Sequence, residues 1–181
     1  MSALNLPRRA MMTLVLVLSQ ALLPAAHAKT PGEVEVGSVL REALMRGLNG
    51  PDRKLSSYRG KPLVINVWAS WCPPCLQEMA SLERLAWSDA GQKFTVIGIS
   101  TDDYVDAAKD RLRKNSATLN HYIDSKLELE NMLGADHLPL TVLVDANGRV
   151  LSKTTGAREW DSAASQAMIL QTFRLAPGAK P

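Results

Sequence analysis

Two cysteines, Cys72 and Cys75, are the only thiols of the 181-residue chain, and two prolines separate them. A cysteine thiolate attacks disulfides, and a second thiol close by releases the mixed disulfide that the first one forms. The setting of the pair suits this chemistry. Residues 62–69 form a near-continuous apolar run rich in β-branched residues, the pattern of a buried central strand. Leu76, Met79, Leu82, Leu85 and Ala86 follow at spacings of three and four, which predicts an amphipathic helix to about Asp89. A cysteine opening that helix sits beside unpaired backbone N–H groups and the positive end of the helix dipole. Such sites lower a thiol pKa from ~8.5 into the range of about 3.5–7.5. Pro73 and Pro74 are tolerated in the first helical turn, where their missing N–H would find no partner anyway.

Two other uses of the pair fit less well. A purely structural bridge over two residues would remove little chain entropy from the unfolded state. A metal site would need more ligands, and His121 and His137 lie far along the chain without zinc spacing. Delivery of copper through Cys72 and Cys75 stays open as a reading of another class, on condition that those histidines converge on the pair.

The remaining elements frame the pair. Residues 29–37 read as a poorly ordered lead-in. Val39, Leu40, Ala43, Leu44 and Leu48 predict a short amphipathic helix over residues 38–47, and a turn follows at residues 49–52. Residues 55–61 read as a loop with one helical turn. Strands are predicted over residues 94–99, 120–123, 140–145 and 150–154, the last two joined by a hairpin turn at residues 146–149. Helices are predicted after Thr101 or Asp102 as cap, with Val105, Ala108 and Leu112 inward, and over residues 126–133 with a stop at Gly134. A last helix over residues 159–175 would turn Trp160, Ala164, Met168 and Phe173 to the core. These units describe an α/β fold, a central mixed sheet flanked by helices, with a short N-terminal extension.

Trp68-Ala69-Ser70-Trp71-Cys72-Pro73-Pro74-Cys75 resembles the active-site signature of the thioredoxin superfamily, in its TlpA/ResA-like bacterial branch. The run from Leu55 to Lys61 resembles that branch's lead-in. Leu138-Pro139-Leu140-Thr141 and the residues through Gly148 resemble its cis-proline strand and hairpin. The likeness spans residues 55–173 and implies a thioredoxin-like fold and a thiol–disulfide oxidoreductase. It also implies Cys72 as nucleophile, Cys75 as resolving thiol and Pro139 as a cis-proline facing the disulfide. Trp71, Pro73, Pro74 and Leu138 are the expected substrate contacts. Glu78 stands where reductases of the branch carry an acid that relays a proton to or from Cys75; the plain alternative is a glutamate answering the helix dipole. Asn66 replaces the buried acid of cytosolic thioredoxins, and Leu140 replaces a small hydroxylated residue. A peroxidase would need a Thr-x-x-Cys context, which this chain lacks. Trp68 and Trp87 read as core, Asp102-Asp103 as a helix cap rather than a carboxylate pair, and His137 as a surface loop residue with the groove as the alternative.

The N-terminus has the features of an export signal: Arg8-Arg9, an apolar stretch from Met11 to Leu23, Pro24, and Ala26-His27-Ala28 as a cleavage site. Cleavage after Ala28 is expected, with an uncleaved membrane anchor as the alternative. The organisation expected is therefore a signal peptide (1–28), an extension (29–54), a thioredoxin-like domain (55–175) and a disordered tail (176–181). The formal charge of +3 depends on the leader: subtracting Arg8 and Arg9 from 21 basic residues leaves 19 against 18 acidic ones. A nearly neutral mature chain gives no electrostatic case for nucleic acid. The expected function is reduction of disulfides in exported proteins, such as apocytochrome c or copper-site proteins. A membrane thiol reductase would donate the electrons, no cofactor beyond the cysteine pair is needed, and membrane contact is peripheral or absent. The alternative is a disulfide-forming oxidase or isomerase.

Overall fold

The computed structural model describes residues 30–176; the expected signal peptide, its cleavage site and most of the expected tail lie outside them. Seven strands and four α-helices are present among the described residues. The strands are β1 (Leu44–Gly47), β2 (Arg53–Lys54), β3 (Leu63–Trp68), β4 (Thr95–Ser100), β5 (Asn120–Ile123), β6 (Leu140–Val144) and β7 (Val150–Thr155). The helices are α1 (Pro73–Trp87), α2 (Val105–Lys114), α3 (Glu128–Leu133) and α4 (Ala163–Thr172). The sheet order is β2-β1-β5-β4-β3-β6-β7. Strands β3, β4 and β5 run parallel, while β1, β2, β6 and β7 each pair antiparallel with their neighbours. This is the expected mixed sheet.

All six residues of β3 are buried, as a central strand covered on both faces requires. Their alternation divides the core. Leu63, Ile65 and Val67 face a cluster with Leu129, Met132 and Leu133 of α3. Val64 packs on the other side with Leu82 and Leu85 of α1, Ile169 and Leu170 of α4, and Phe173. Asn66 and Trp68 share that second side by the period-two rule. Trp68 meets Cys75 and Met79 of α1 and Ala108 and Leu112 of α2.

Several expectations are corrected. Residues 38–47 form no helix. Leu40 N–H donates to the Gly148 carbonyl and Val150 N–H to that of Ser38, while β1 pairs with β5. Two sheet edges thus claim this backbone, and tertiary hydrogen bonding overrides the local apolar spacing. Gly47 is fixed by close approach, since a Cβ there would stand 1.9 Å from the Gly50 carbonyl oxygen. Residues 30–37 are docked rather than loose: Val34 is buried, its N–H donates to the Met132 carbonyl, and Glu33 pairs with Lys153. The extension therefore lengthens the sheet through β1 and β2. The last helix is shorter than expected. Trp160 precedes it, Ala164 is exposed and Met168 is half-buried, and Ser165, Ile169, Leu170 and Phe173 make its inner face. Trp87 is 70% exposed, two positions beyond Leu85 and so turned to the far side of α1. Its indole N–H donates to Thr118 Oγ1 at 3.1 Å.

Candidate active site

Strand β3 ends at Trp68, and a short turn later Cys72 is the N-cap of α1, with Pro73 and Pro74 in the first turn. Cys72 Sγ accepts from the Cys75 N–H at 3.3 Å, so one unpaired donor of the helix end points at the sulfur. This is the electrostatic setting that favours a thiolate. Cys72 and Cys75 are joined as a disulfide with Cα atoms 5.4 Å apart. Cys75 is wholly buried and Cys72 is 4% exposed, so an incoming thiol reaches Cys72 first. Trp71, Pro73 and Pro74 stand exposed around it.

The Leu138–Pro139 peptide bond is cis. It lies just before β6, whose Leu140 pairs with Val67 of β3, and this brings the loop to the strand end that launches the cysteines. Leu138 packs partly against the cluster that holds both cysteines. The Pro139 carbonyl already accepts from the Gly156 N–H at 2.8 Å. The backbone N–H and carbonyl of Leu138 make no hydrogen bond among the described residues.

Glu78 lies in the second turn of α1 and is 2% exposed, so it does not serve the helix end. Residues three apart on a helix lie on the same face, which sets Glu78 one turn beyond Cys75. Three donors hold the carboxylate: Asn66 Nδ2 at 2.7 Å on Oε1, and Trp160 Nε1 at 2.9 Å and the Arg158 N–H at 3.1 Å on Oε2. Asn66 also donates to Thr141 Oγ1 at 3.1 Å. Burial raises the Glu78 pKa above the ordinary carboxylate value, although all three hydrogen bonds pull it down. Asn66 is thus the direct partner of the buried acid. Trp160 and Arg158 are invisible as partners in the sequence, about eighty residues away and without a motif; only the return of the chain after β7 delivers them.

The histidines do not converge on the sulfurs. His121 is buried on β5, where Nδ1 accepts from Trp68 Nε1 at 3.1 Å. Burial pushes its pKa down to about 4. Gly98, opposite it in register, leaves the room: a Cβ there would stand 2.1 Å from His121 Nδ1. His137 is an exposed loop residue beside Asp136.

Asp102 is not the cap of α2, whose N-cap is Tyr104. It is 3% exposed and ties β4 to the cysteine turn. Its carboxylate accepts from the Ser70 N–H at 2.9 Å, Ser70 Oγ at 2.6 Å and Ser100 Oγ at 2.6 Å. Replacing Asp102 by alanine removes the acceptor of the partly buried Ser70 N–H, at a cost toward the lower end of the about 1–3 kcal/mol of an orphaned buried donor. A loss of that size is expected in denaturant unfolding. Asp102→Asn should recover part of it, since its amide oxygen still accepts from Ser70 and the Ser100 hydroxyl can turn to accept.

A strand delivering a helix-capping cysteine pair, with the loop of a cis-proline packed through Leu138 on the same cluster, defines a thioredoxin-like redox site. The Redoxin family model matches residues 35–168, and the chain belongs to that family. It is 31% identical over 169 residues to the thiol:disulfide interchange protein DsbE of Vibrio cholerae, covering 87% of this chain and 88% of that one. It is 29% identical over 123 residues to the thiol-disulfide oxidoreductase ResA of Geobacillus thermodenitrificans, covering 68% and 71%. Among solved structures, a protein described as a putative thiol:disulfide interchange protein DsbE from Chlorobium tepidum superposes with a TM-score of 0.71. The two are 26% identical, over 78% of this chain and 99% of that one. The chain is a thiol–disulfide oxidoreductase of the ResA/DsbE type, carrying its redox pair at Cys72 and Cys75.

Proposed function

We propose that this chain reduces disulfides of specific exported proteins, in the periplasm or its equivalent, with proteins of cytochrome c maturation or copper sites as the substrate class. The observation that carries the reading is the pairing of a helix-capping Cys72 with a buried, hydrogen-bonded Glu78 one turn beyond Cys75. The export pattern of residues 8–28 supports the compartment.

In the reduced protein the Cys72 thiolate attacks one sulfur of the target disulfide. That bond breaks, the departing target thiolate takes a proton, and a Cys72–target disulfide forms. Cys75 then gives its proton to Glu78, attacks Cys72 Sγ and expels the second target thiolate, which is protonated in turn. Two electrons pass to the target and the 72–75 disulfide remains. Leu138, ahead of cis-Pro139, pairs with the target backbone, and Trp71, Pro73 and Pro74 contact its side chains. A membrane thiol reductase returns the electrons, and the two sulfurs need no further cofactor.

The reduction potential of the pair tests this, measured by equilibrating the purified protein with a thiol redox buffer. A reductant of this kind is expected well below ~−200 mV, toward the value of about −270 mV typical of thioredoxin. A value near ~−120 mV would assign the protein to disulfide formation instead.

A further inference from the structure

The end of the parallel strands that launches the cysteine loop also carries a second exposed aromatic, which the exchange chemistry does not use. Tyr104 is 77% exposed and Trp71 is 69% exposed. Neither the Tyr104 hydroxyl nor the Trp71 indole N–H has a hydrogen-bond partner among the described residues, whereas the indole of the equally exposed Trp87 is engaged by Thr118. Trp87 also closes the opposite end of α1, about 22 Å away at 1.5 Å per residue.

The loops that bear Trp71 and Tyr104 leave neighbouring parallel strands at the same end of the sheet. Trp68 and Ser100 are partners in register on β3 and β4, and each aromatic follows within four residues. Thr101 N–H donates to the Trp68 carbonyl at 2.9 Å, and Asp102 clamps Ser70 as described. The loop that bears Tyr104 is thus bolted to the loop that bears Trp71 and Cys72. Ordered loops present aromatic rings at little entropic cost, and Trp and Tyr with a free polar tip dominate the energetics of contact surfaces. Asp103 and Asp106 add two exposed acidic side chains next to Tyr104.

We propose that Tyr104 is a specificity-determining residue, forming with Trp71 a two-ring surface for the polypeptide flanking the target cysteine. The occupant is a disulfide-bearing segment with an apolar side chain and a basic residue beside its cysteine. The apolar side chain lies on the rings and the basic group meets Asp103 and Asp106. This rests on the reductase reading, because the surface is continuous with Cys72 and gains its occupant through it.

The test compares Tyr104→Ser with the unmodified protein, both pre-reduced, on three disulfides. These are a peptide dimer with Leu and Lys flanking its cysteine, the same dimer with Ser and Glu instead, and cystine. Serine is a favoured N-cap residue, so the variant keeps or improves the start of α2. The unmodified protein is expected to prefer the first peptide in kcat/KM by about tenfold, the scale of one well-placed contact. In Tyr104→Ser that preference should fall to within about threefold, with cystine reduction and reduction potential unchanged, and Tyr104→Phe should restore most of it. Equal rates on both peptides, or an undiminished preference in Tyr104→Ser, would overturn the proposal. Failure of the unmodified protein to reduce even cystine would instead remove the reductase reading beneath it.

Discussion

In a Cys75→Ser variant, turnover stops and the protein accumulates as a covalent adduct through Cys72. Cys72 keeps its place as helix cap, so its thiolate still attacks, and a peptide dimer joined by one disulfide leaves half of itself bound. Release then needs a second thiol, and Cys75, wholly buried and one helical turn on, is the only one in the chain. Intramolecular thiols act at effective concentrations that free thiols do not reach, and a serine hydroxyl stays protonated at neutral pH. The expected loss in product release is at least ~10³-fold. Mass spectrometry under non-reducing conditions should find one peptide on Cys72 of Cys75→Ser and none on Cys75 of Cys72→Ser. Capture by the second variant instead would reverse the assignment of nucleophile and resolving thiol.

Much of this is legible in the sequence because it is local. The apolar run of β3, the cysteine spacing and the amphipathic α1 are read within a single stretch of chain, and each lies where expected. Pro139 is placed by resemblance, and its cis bond is seen only in the fold. What fails is set by distant partners. Leu40 and Leu44 have helical spacing, yet the backbone around them is taken by Gly148 and β5. Asp102 has the look of a cap, yet its carboxylate goes to Ser70, 32 residues earlier. Asn66 reads in the sequence as the loss of a buried acid; in three dimensions the acid stands on the facing helix, and Asn66 is its ligand. Trp160 reads as core for its bulk, and it is buried, but its indole N–H is what bears on the site. Hydrophobic periodicity reports which side chains hide and carries no record of which polar atom a hidden side chain meets.

Replacing Glu78 by glutamine slows resolution of the mixed disulfide by about 10²-fold near neutral pH, at the lower end of general acid–base contributions. The substitution leaves packing intact. The new side-chain amide can turn its oxygen to Trp160 and Arg158, and Asn66 can flip its own amide to accept from the introduced NH₂ while the Thr141 hydroxyl donates to it. Only the proton site is lost. In the parent, burial holds the Glu78 pKa above the ordinary value, which makes its carboxylate a stronger base for the Cys75 proton. The pH profile of resolution should therefore lose the limb that follows Glu78 and keep the limb that follows the thiols. Stability gives a second, non-catalytic check. A raised pKa in the folded state means that the native protein holds this proton more tightly than the unfolded chain. The stabilisation is complete below the unfolded value of about 4.3 and is lost as pH rises through the folded one, with a slope of at most ~1.4 kcal/mol per pH unit. Asp124 and Glu130 are raised by burial too, but they titrate in both proteins and cancel in the difference. The gap between Glu78→Gln and parent in unfolding free energy should consequently move in favour of the variant from about pH 4 upward, then level off. A gap that is flat across that interval, together with an unchanged pH profile of resolution, would mean that Glu78 is a packing residue and that Cys75 loses its proton directly to solvent.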